Sequence, residues 1–142
     1  MAPVGCWESL AAALEAGATS VYFGIEHLNM RARSSANFTT QDLHTIVERC
    51  QAAGVKTYLT LNTVMYPEDL PLMQEIVNHA KAARVSAIIA ADIAVLQYAR
   101  SVGVEVHLST QLNIANTEAL KFYAQYADVV VLAREQIGRA HV

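Results

Sequence analysis

The chain has 142 residues, of which 54% are hydrophobic and 16% are charged, and its formal net charge is −3 at pH 7. This length is enough for one domain with a buried core, and the weakly acidic balance argues against a protein that binds nucleic acid through a generally basic surface, although not against a local basic patch. The longest apolar stretch, residues 85–96, contains Ser86 and Asp92. It is shorter than the roughly 20 residues of a membrane helix, so we expect no membrane segment.

The first residues and the cysteines indicate a cytoplasmic protein. Residues 1–4 (MAPV) show neither a basic region nor an apolar core of a signal peptide. Cys6 and Cys50 are isolated from each other, which suits a reducing compartment and provides neither a disulfide framework nor a complete metal site. No two of the five histidines stand at metal-ligand spacing. We therefore expect no metal site in this chain.

Five short apolar runs predict buried parallel strands, because strands covered on both faces are almost continuously apolar. A sixth, very short strand is expected at Pro3-Val4. The five runs are residues 20–24, 55–62, 87–92, 104–111 and 128–135.

Amphipathic segments alternate with these runs and predict helices. They cover residues 8–16, a segment that begins at Thr39 or Thr40 and stops at Gly54, residues 67–83, residues 93–102, and a segment that begins at Asn116 or Thr117. The alternation predicts an α/β fold, specifically a partial TIM-like (β/α) barrel with about six parallel strands. A closed barrel of eight strands needs about 250 residues, so we expect a truncated barrel.

The end of the chain has no helical or strand period. Residues 137–142 (IGRAHV) can be back-translated into a common sequencing-adapter sequence, and the codon CAG for Gln136 extends the match. We therefore interpret residues 1–135 as the N-terminal part of the barrel and residues 136–142 as a non-native tail, in which Arg139 and His141 have no role.

Polar residues at the ends of the predicted strands are candidates for substrate binding, because chemistry in α/β proteins collects at the C-terminal ends of the strands. Each has a structural alternative: Asp92 as a helix N-cap, Asn62 as a turn residue, and the Arg134-Glu135 pair as a solvated pair instead of a clamp for an anion. The candidates at strand ends are Asn62, Asp92, Gln111, Asn113, Arg134 and Glu135.

The run from His107 to Asn113 is the sharpest of these signals. Strand alternation predicts that His107, Ser109 and Gln111 share one face and point toward the barrel mouth. Alternatively, His107 and Ser109 bond to each other within a core layer.

The long polar connection of residues 26–40 follows a strand end, where functional loops are common. Its Arg31 and Arg33 would suit a carboxylate or phosphate, although surface salt bridges would also explain them. The sequence has no GxGxxG or Walker A loop, no GxSxG elbow and no HExxH motif, and no nucleophile–base–orienter set is visible.

Eight segments, considered together, point to one family. They are residues 2–5 (APVG), 17–24 (GATSVYFG), Ala32-Arg33 with Asn37-Phe38, Asn62, 90–92 (AAD), 107–113 (HLSTQLN), 121–123 (KFY) and 132–135 (LARE). In these segments the chain resembles the collagenase-like peptidase family U-32, over about residues 2–135. The resemblance implies a TIM-like barrel.

The resemblance also implies a divided function. The family is named for peptidase activity, and it includes proteins of RNA hydroxylation and of ubiquinone hydroxylation that resemble one another in cysteine ligands for an iron–sulfur cluster. This chain departs from that pattern, because it lacks the cysteine-rich signature. We expect no cofactor in the chain, a possible iron–sulfur cluster in the full-length parent, and an RNA or peptide substrate. RNA-base hydroxylation is the preferred activity of the parent; a collagenase-like peptidase and an inert fragment are the alternatives.

Overall fold

The computed structural model describes residues 1–29 and 38–132. Strands and helices alternate along them, and 3₁₀ turns occupy Pro67–Asp69 and Thr110–Leu112. The elements are β1 (Ala2–Pro3), α1 (Trp7–Glu15), β2 (Ser20–Phe23), α2 (Thr40–Ala52), β3 (Lys56–Leu61), α3 (Leu70–Ala83), β4 (Ala87–Ala90), α4 (Ile93–Val102), β5 (Val106–Leu108), α5 (Thr117–Tyr123) and β6 (Val129–Val130).

The six strands form one sheet in the order of the sequence, and every neighbouring pair is parallel. A doubly wound sheet would reverse its strand order at a switch point, whereas a sequential order is that of a (β/α) barrel. Within the described residues the sheet stays open, with β1 at one edge and β6 at the other. The predicted partial barrel of six parallel strands is confirmed.

The two faces of the sheet differ in burial. The outer face packs against the helices and is fully buried, with Val21, Phe23, Leu59, Ile88 and Leu108 at its centre. The inner face is only partly covered, and its residues include Tyr22, Tyr58, Ile89, His107 and Val129. This asymmetry arises because an open sheet has helices on one side and no opposing strands on the other.

Local capping explains several helix boundaries. Thr39 and Asp42 form a reciprocal capping box at the start of α2: the N–H of Asp42 donates to Thr39 Oγ1 at 3.2 Å, and the N–H of Thr39 donates to Asp42 Oδ2 at 2.9 Å. The helix α4 begins after Asp92 and ends at Gly103, whose φ of 81° suits a residue without a Cβ. The observed bounds of α4 equal the predicted ones.

The fifth strand is shorter than its apolar run. We predicted strand structure over residues 104–111, but β5 ends at Leu108. Ser109 begins a 3₁₀ turn instead, with its Oγ accepting a hydrogen bond from the N–H of Gln111 at 3.4 Å, and Asn113 ends the turn with a φ of 49°. Such side-chain bonds to nearby backbone compete with strand pairing.

Among the residues that the structure describes, no helix is both long and apolar enough to cross a membrane.

Candidate functional site at the mouth of the barrel

The C-terminal ends of β3, β4 and β5 surround a small pocket of about 210 Å³. Three of the predicted residues, Asn62, Asp92 and Gln111, lie together in its wall, although they are far apart in the sequence. The full lining is Asn62, Thr63, Val64, Ala91, Asp92, Gln111 and Leu112. Parallel strands bring their carboxyl ends to one edge, which explains why residues so distant in sequence meet here.

Asp92 organises the pocket through both oxygens of its carboxylate. Oδ1 accepts a hydrogen bond from the N–H of Ala94 at 2.8 Å and caps α4, and Oδ2 accepts one from the N–H of Met65 at 3.0 Å. The alternative that Asp92 is an N-cap is therefore what the structure shows, with an additional bond to the loop after β3. These two bonds make Asp92 a positioning residue for the walls of the pocket.

Thr63 is a pocket residue that the sequence analysis did not single out. Its Oγ1 is buried and has no hydrogen-bond partner. A buried hydroxyl without a partner costs on the order of 1–3 kcal/mol. The sequence could have pointed to Thr63, because this residue directly follows Asn62 at the end of a buried strand.

The two amide side chains reach the pocket in different ways. Asn62 directly follows β3, as predicted, whereas Gln111 lies in the 3₁₀ turn after β5. The predicted strand alternation of His107, Ser109 and Gln111 does not extend to Gln111, because β5 ends at Leu108 and Gln111 lies in the 3₁₀ turn. Ser109 is buried and caps the turn, so it supports Gln111 through the backbone.

His107 lies on the inner face, in mid-strand and away from the pocket lining. Its Nε2 is 2.7 Å from Oε1 of Glu105, and its ring lies 5.2 Å from the ring of Tyr58. The predicted place at the mouth is therefore wrong. The imidazole bonds to Glu105, which lies just before the beginning of β5, at the end of the strand opposite the mouth. The alternative of a bond to Ser109 is also wrong, since the imidazole pairs with Glu105.

The remaining candidates do not join the pocket in the described structure. Asn113 is exposed and outside the lining. Arg31, Arg33, Arg134 and Glu135 lie outside the described residues, so their predicted roles at the mouth stay predictions.

The cysteines do not fit an iron–sulfur cluster. Cys6 is the N-cap residue of α1, while Cys50 is buried in the core on α2. Burial raises the pKa of the Cys50 thiol, which opposes the thiolate form that metals need. A cluster normally takes four thiolates, and this chain has two cysteines. In the described part of the chain, no three His, Cys, Asp or Glu side chains are grouped to hold a metal ion.

The arrangement of the pocket suits binding. Two amide residues and a threonine supply the polar part of its wall, and Val64, Ala91 and Leu112 supply apolar surface. Within the described residues, no nucleophile stands beside a base in this pocket.

Comparison with known proteins identifies the family. The sequence model of Peptidase family U32 matches residues 5–137. The chain belongs to this family. The solved structure of the U32 peptidase Mk0906 covers 94% of the chain with a TM-score of 0.75 at 12% sequence identity, and the chain covers 57% of that structure. At this identity the likeness shows the fold alone.

Curated relatives in this U32 family have names from two functional classes. A protein of Porphyromonas gingivalis named collagenase is 65% identical over 95% of the chain. A protein of Bacillus subtilis named tRNA hydroxylation protein P1 is 35% identical over 95% of the chain. The chain spans about a third of the length of these relatives, 33% and 32% respectively.

Proposed function

We propose that this U32 chain forms the substrate-binding part of a barrel that takes part in RNA hydroxylation, and that its mouth pocket binds a base of the RNA. The observation that supports this most directly is the meeting of Asn62, Gln111 and the unpartnered Thr63 hydroxyl in one small pocket. The relationship to a tRNA hydroxylation protein supports the same substrate class.

The chemistry of a base matches that of the pocket walls. The edge of an unstacked base presents donors and acceptors, and an amide side chain offers both in one plane. The faces of the base are apolar enough to pack against Val64 and Leu112. A pocket of about 210 Å³ accommodates one base rather than a longer segment of polymer.

Asp92 takes no proton in this proposal. Because both of its oxygens accept backbone N–H groups, its role is to hold the loop of Met65 and the start of α4 around the substrate. This chain then binds and orients the base, and the iron–sulfur ligands that the family resemblance implies lie elsewhere in the protein.

Proteolysis is the second candidate, because the relative with 65% identity is named collagenase. In that case the same amides would bind a peptide, whose backbone offers the same donors and acceptors as a base edge. The hydrolytic groups would then lie outside the pocket described above.

The test uses the full-length protein that contains this chain, expressed in cells that lack a tRNA hydroxylation protein. Hydroxylated nucleosides are measured by mass spectrometry of digested tRNA and rRNA, and gelatin cleavage is measured with the same preparation. We expect N62A and Q111A each to lower the hydroxylated product about tenfold, the effect of one lost hydrogen bond of about 1.4 kcal/mol. Q41A, which removes an exposed amide from α2, is the matched control.

The outcomes separate the two candidates. Hydroxylated product that depends on Asn62 and Gln111 supports binding of an RNA base. Gelatin cleavage that is lost in N62A and Q111A, with no change in RNA, would assign the pocket to peptide binding and overturn the proposal.

A further inference from the structure

Two histidines meet on the outer surface of the barrel, between α2 and α3. Nε2 of His44 and Nδ1 of His79 are 3.1 Å apart, and their rings are nearly perpendicular with centroids separated by 5.3 Å. The residues are 35 positions apart in the sequence, so no spacing rule could pair them. The spacing of the histidines in the sequence, which suits no metal site, gave no indication of this pair.

The distance between the two nitrogens fits a shared metal ion. Imidazole nitrogens bind zinc at about 2.0–2.1 Å. With bonds of that length, nitrogens 3.1 Å apart subtend an angle of about 100° at the metal, between the values for square-planar and tetrahedral ligands. A bridging ion therefore needs no large movement of either helix.

A carboxylate stands where it can orient one of the ligands. Glu75 lies one turn before His79 on α3, and its Oε1 is 4.0 Å from Nε2 of His79. Metal-binding imidazoles usually donate their second N–H to such a group, which fixes the tautomer. With the proton of His79 on Nε2, facing Glu75, the Nδ1 atom presents its lone pair toward His44.

We propose that His44 and His79 bind one divalent transition-metal ion of the zinc, copper or nickel class, with Glu75 as the partner of His79. Imidazole suits all three of these ions. Glu75 and His79 also line an open surface groove, which gives water the room to fill the remaining coordination positions. The side chains of His79 and Glu75 are 40% and 59% exposed, so the ion can enter from solvent.

Metal binding replaces the present hydrogen bond between the rings. In a neutral pair one ring nitrogen carries the shared proton and the other accepts it. The ion takes both lone pairs, and the displaced proton moves to the other nitrogen of His44 through solvent, so the charge of the two rings does not change. The bound ion links α2 to α3.

The test measures zinc binding to the 142-residue chain by calorimetry and thermal unfolding. A background with Cys6→Ser and His141→Gln removes two competing ligands, and Val131→Lys in the same background limits association through the exposed edge of the sheet. We expect one zinc ion per chain and a rise in Tm with zinc concentration. H44Q and H79Q should each weaken binding at least tenfold, and E75Q should weaken it less. H27Q, which removes an exposed histidine near Asp69, should bind as the background does.

Unchanged affinity and stoichiometry in both H44Q and H79Q would overturn the proposal, as would the absence of zinc binding in the background chain. The variants are expected to fold, since the His44 ring is exposed and the His79 ring partly exposed. Equal midpoints of urea unfolding without metal verify this. Loss of zinc binding with an unchanged midpoint then supports ligation.

Discussion

The carboxylate of Asp92 accepts a hydrogen bond from the backbone N–H of Met65 at 3.0 Å while it caps α4 through Ala94 at 2.8 Å. One side chain at the end of β4 thereby fixes two walls of the mouth pocket. Asp92 thus contributes both to the start of α4 and to the shape of the pocket.

Replacement of Asp92 tests its structural role. We expect D92A to lower the free energy of unfolding by about 1–3 kcal/mol, because it removes the cap of α4 and leaves the N–H of Met65 without its acceptor. D92N keeps one acceptor oxygen and should cost less. Urea unfolding measures both variants, and D128A, at an exposed aspartate, is the control. Equal midpoints for D92A and D128A would contradict a structural role for Asp92.

Substitution of Thr63 should raise the stability of the protein and lower its proposed function. T63V replaces a buried hydroxyl that has no partner, so we expect the free protein to become more stable by about 1 kcal/mol. The proposed RNA product should fall, because the ligand loses a hydrogen bond. Thermal unfolding and nucleoside analysis of the full-length protein measure the two effects.

Thr60 provides the matched control for this substitution. Its buried Oγ1 donates to the carbonyl oxygen of Phe23 at 3.1 Å, so T60V should destabilise the protein. If T63V destabilises it as much as T60V, then the Thr63 hydroxyl has a partner and the argument for a ligand at this position fails.

The buried thiol of Cys50 should make the folded chain less stable as the pH rises into the alkaline range. Burial raises the pKa of its thiol, so the folded state keeps the proton after the unfolded state has begun to lose it. The stabilising contribution is complete below the unfolded pKa of about 8.5 and is lost as the pH rises through the folded value. Urea midpoints between pH 7 and pH 10 measure this loss.

C50A separates this contribution from those of other titrating groups. The variant should show a flatter decline in stability above pH 8.5 than the parent chain. Alkylation of Cys50 in the folded state should be slow over the same range, because the side chain is fully buried. A decline that is the same in both proteins would assign the pH dependence to other groups.

The open edge at β6 should make the isolated chain associate. Exposed apolar residues lie at and beside this edge, including Val129, Val131 and Leu132, and an unpaired edge strand invites pairing with another chain. We expect V131K to reduce light scattering of the purified chain strongly. Q51K adds the same charge on α2 and should not. Monomeric behaviour of the parent chain would contradict this expectation.

The same preparation tests the catalytic silence of the chain. We expect it neither to cleave gelatin nor to take up iron, because two cysteines cannot supply four thiolates. Robust gelatin cleavage by the 142-residue chain would favour proteolysis over RNA hydroxylation.

Much of the fold follows from short-range patterns in the sequence. Apolar runs predicted every long strand, and polar caps marked the starts of α2, α4 and α5, at Thr39, Asp92 and Asn116. The helix caps depend on hydrogen bonds between residues two or three positions apart, and each strand or helix depends on the hydrophobic period of its own segment. The local sequence therefore contains the information that these predictions need. Asn62 and Asp92 could be placed at the mouth for the same reason.

Only the tertiary structure decided the end of β5 at Leu108, the bond of His107 to Glu105 and the meeting of His44 with His79. The strand pattern continued past Leu108, but the neighbouring strand β4 ends at Ala90, whose carbonyl oxygen accepts a hydrogen bond from the N–H of Ser109 at 2.8 Å. The two histidines meet because α2 and α3 pack side by side on consecutive strands of the sheet. Sequence periodicity tells which face of each helix is buried, but the rotation and height of one helix against the next depend on packing of the whole core.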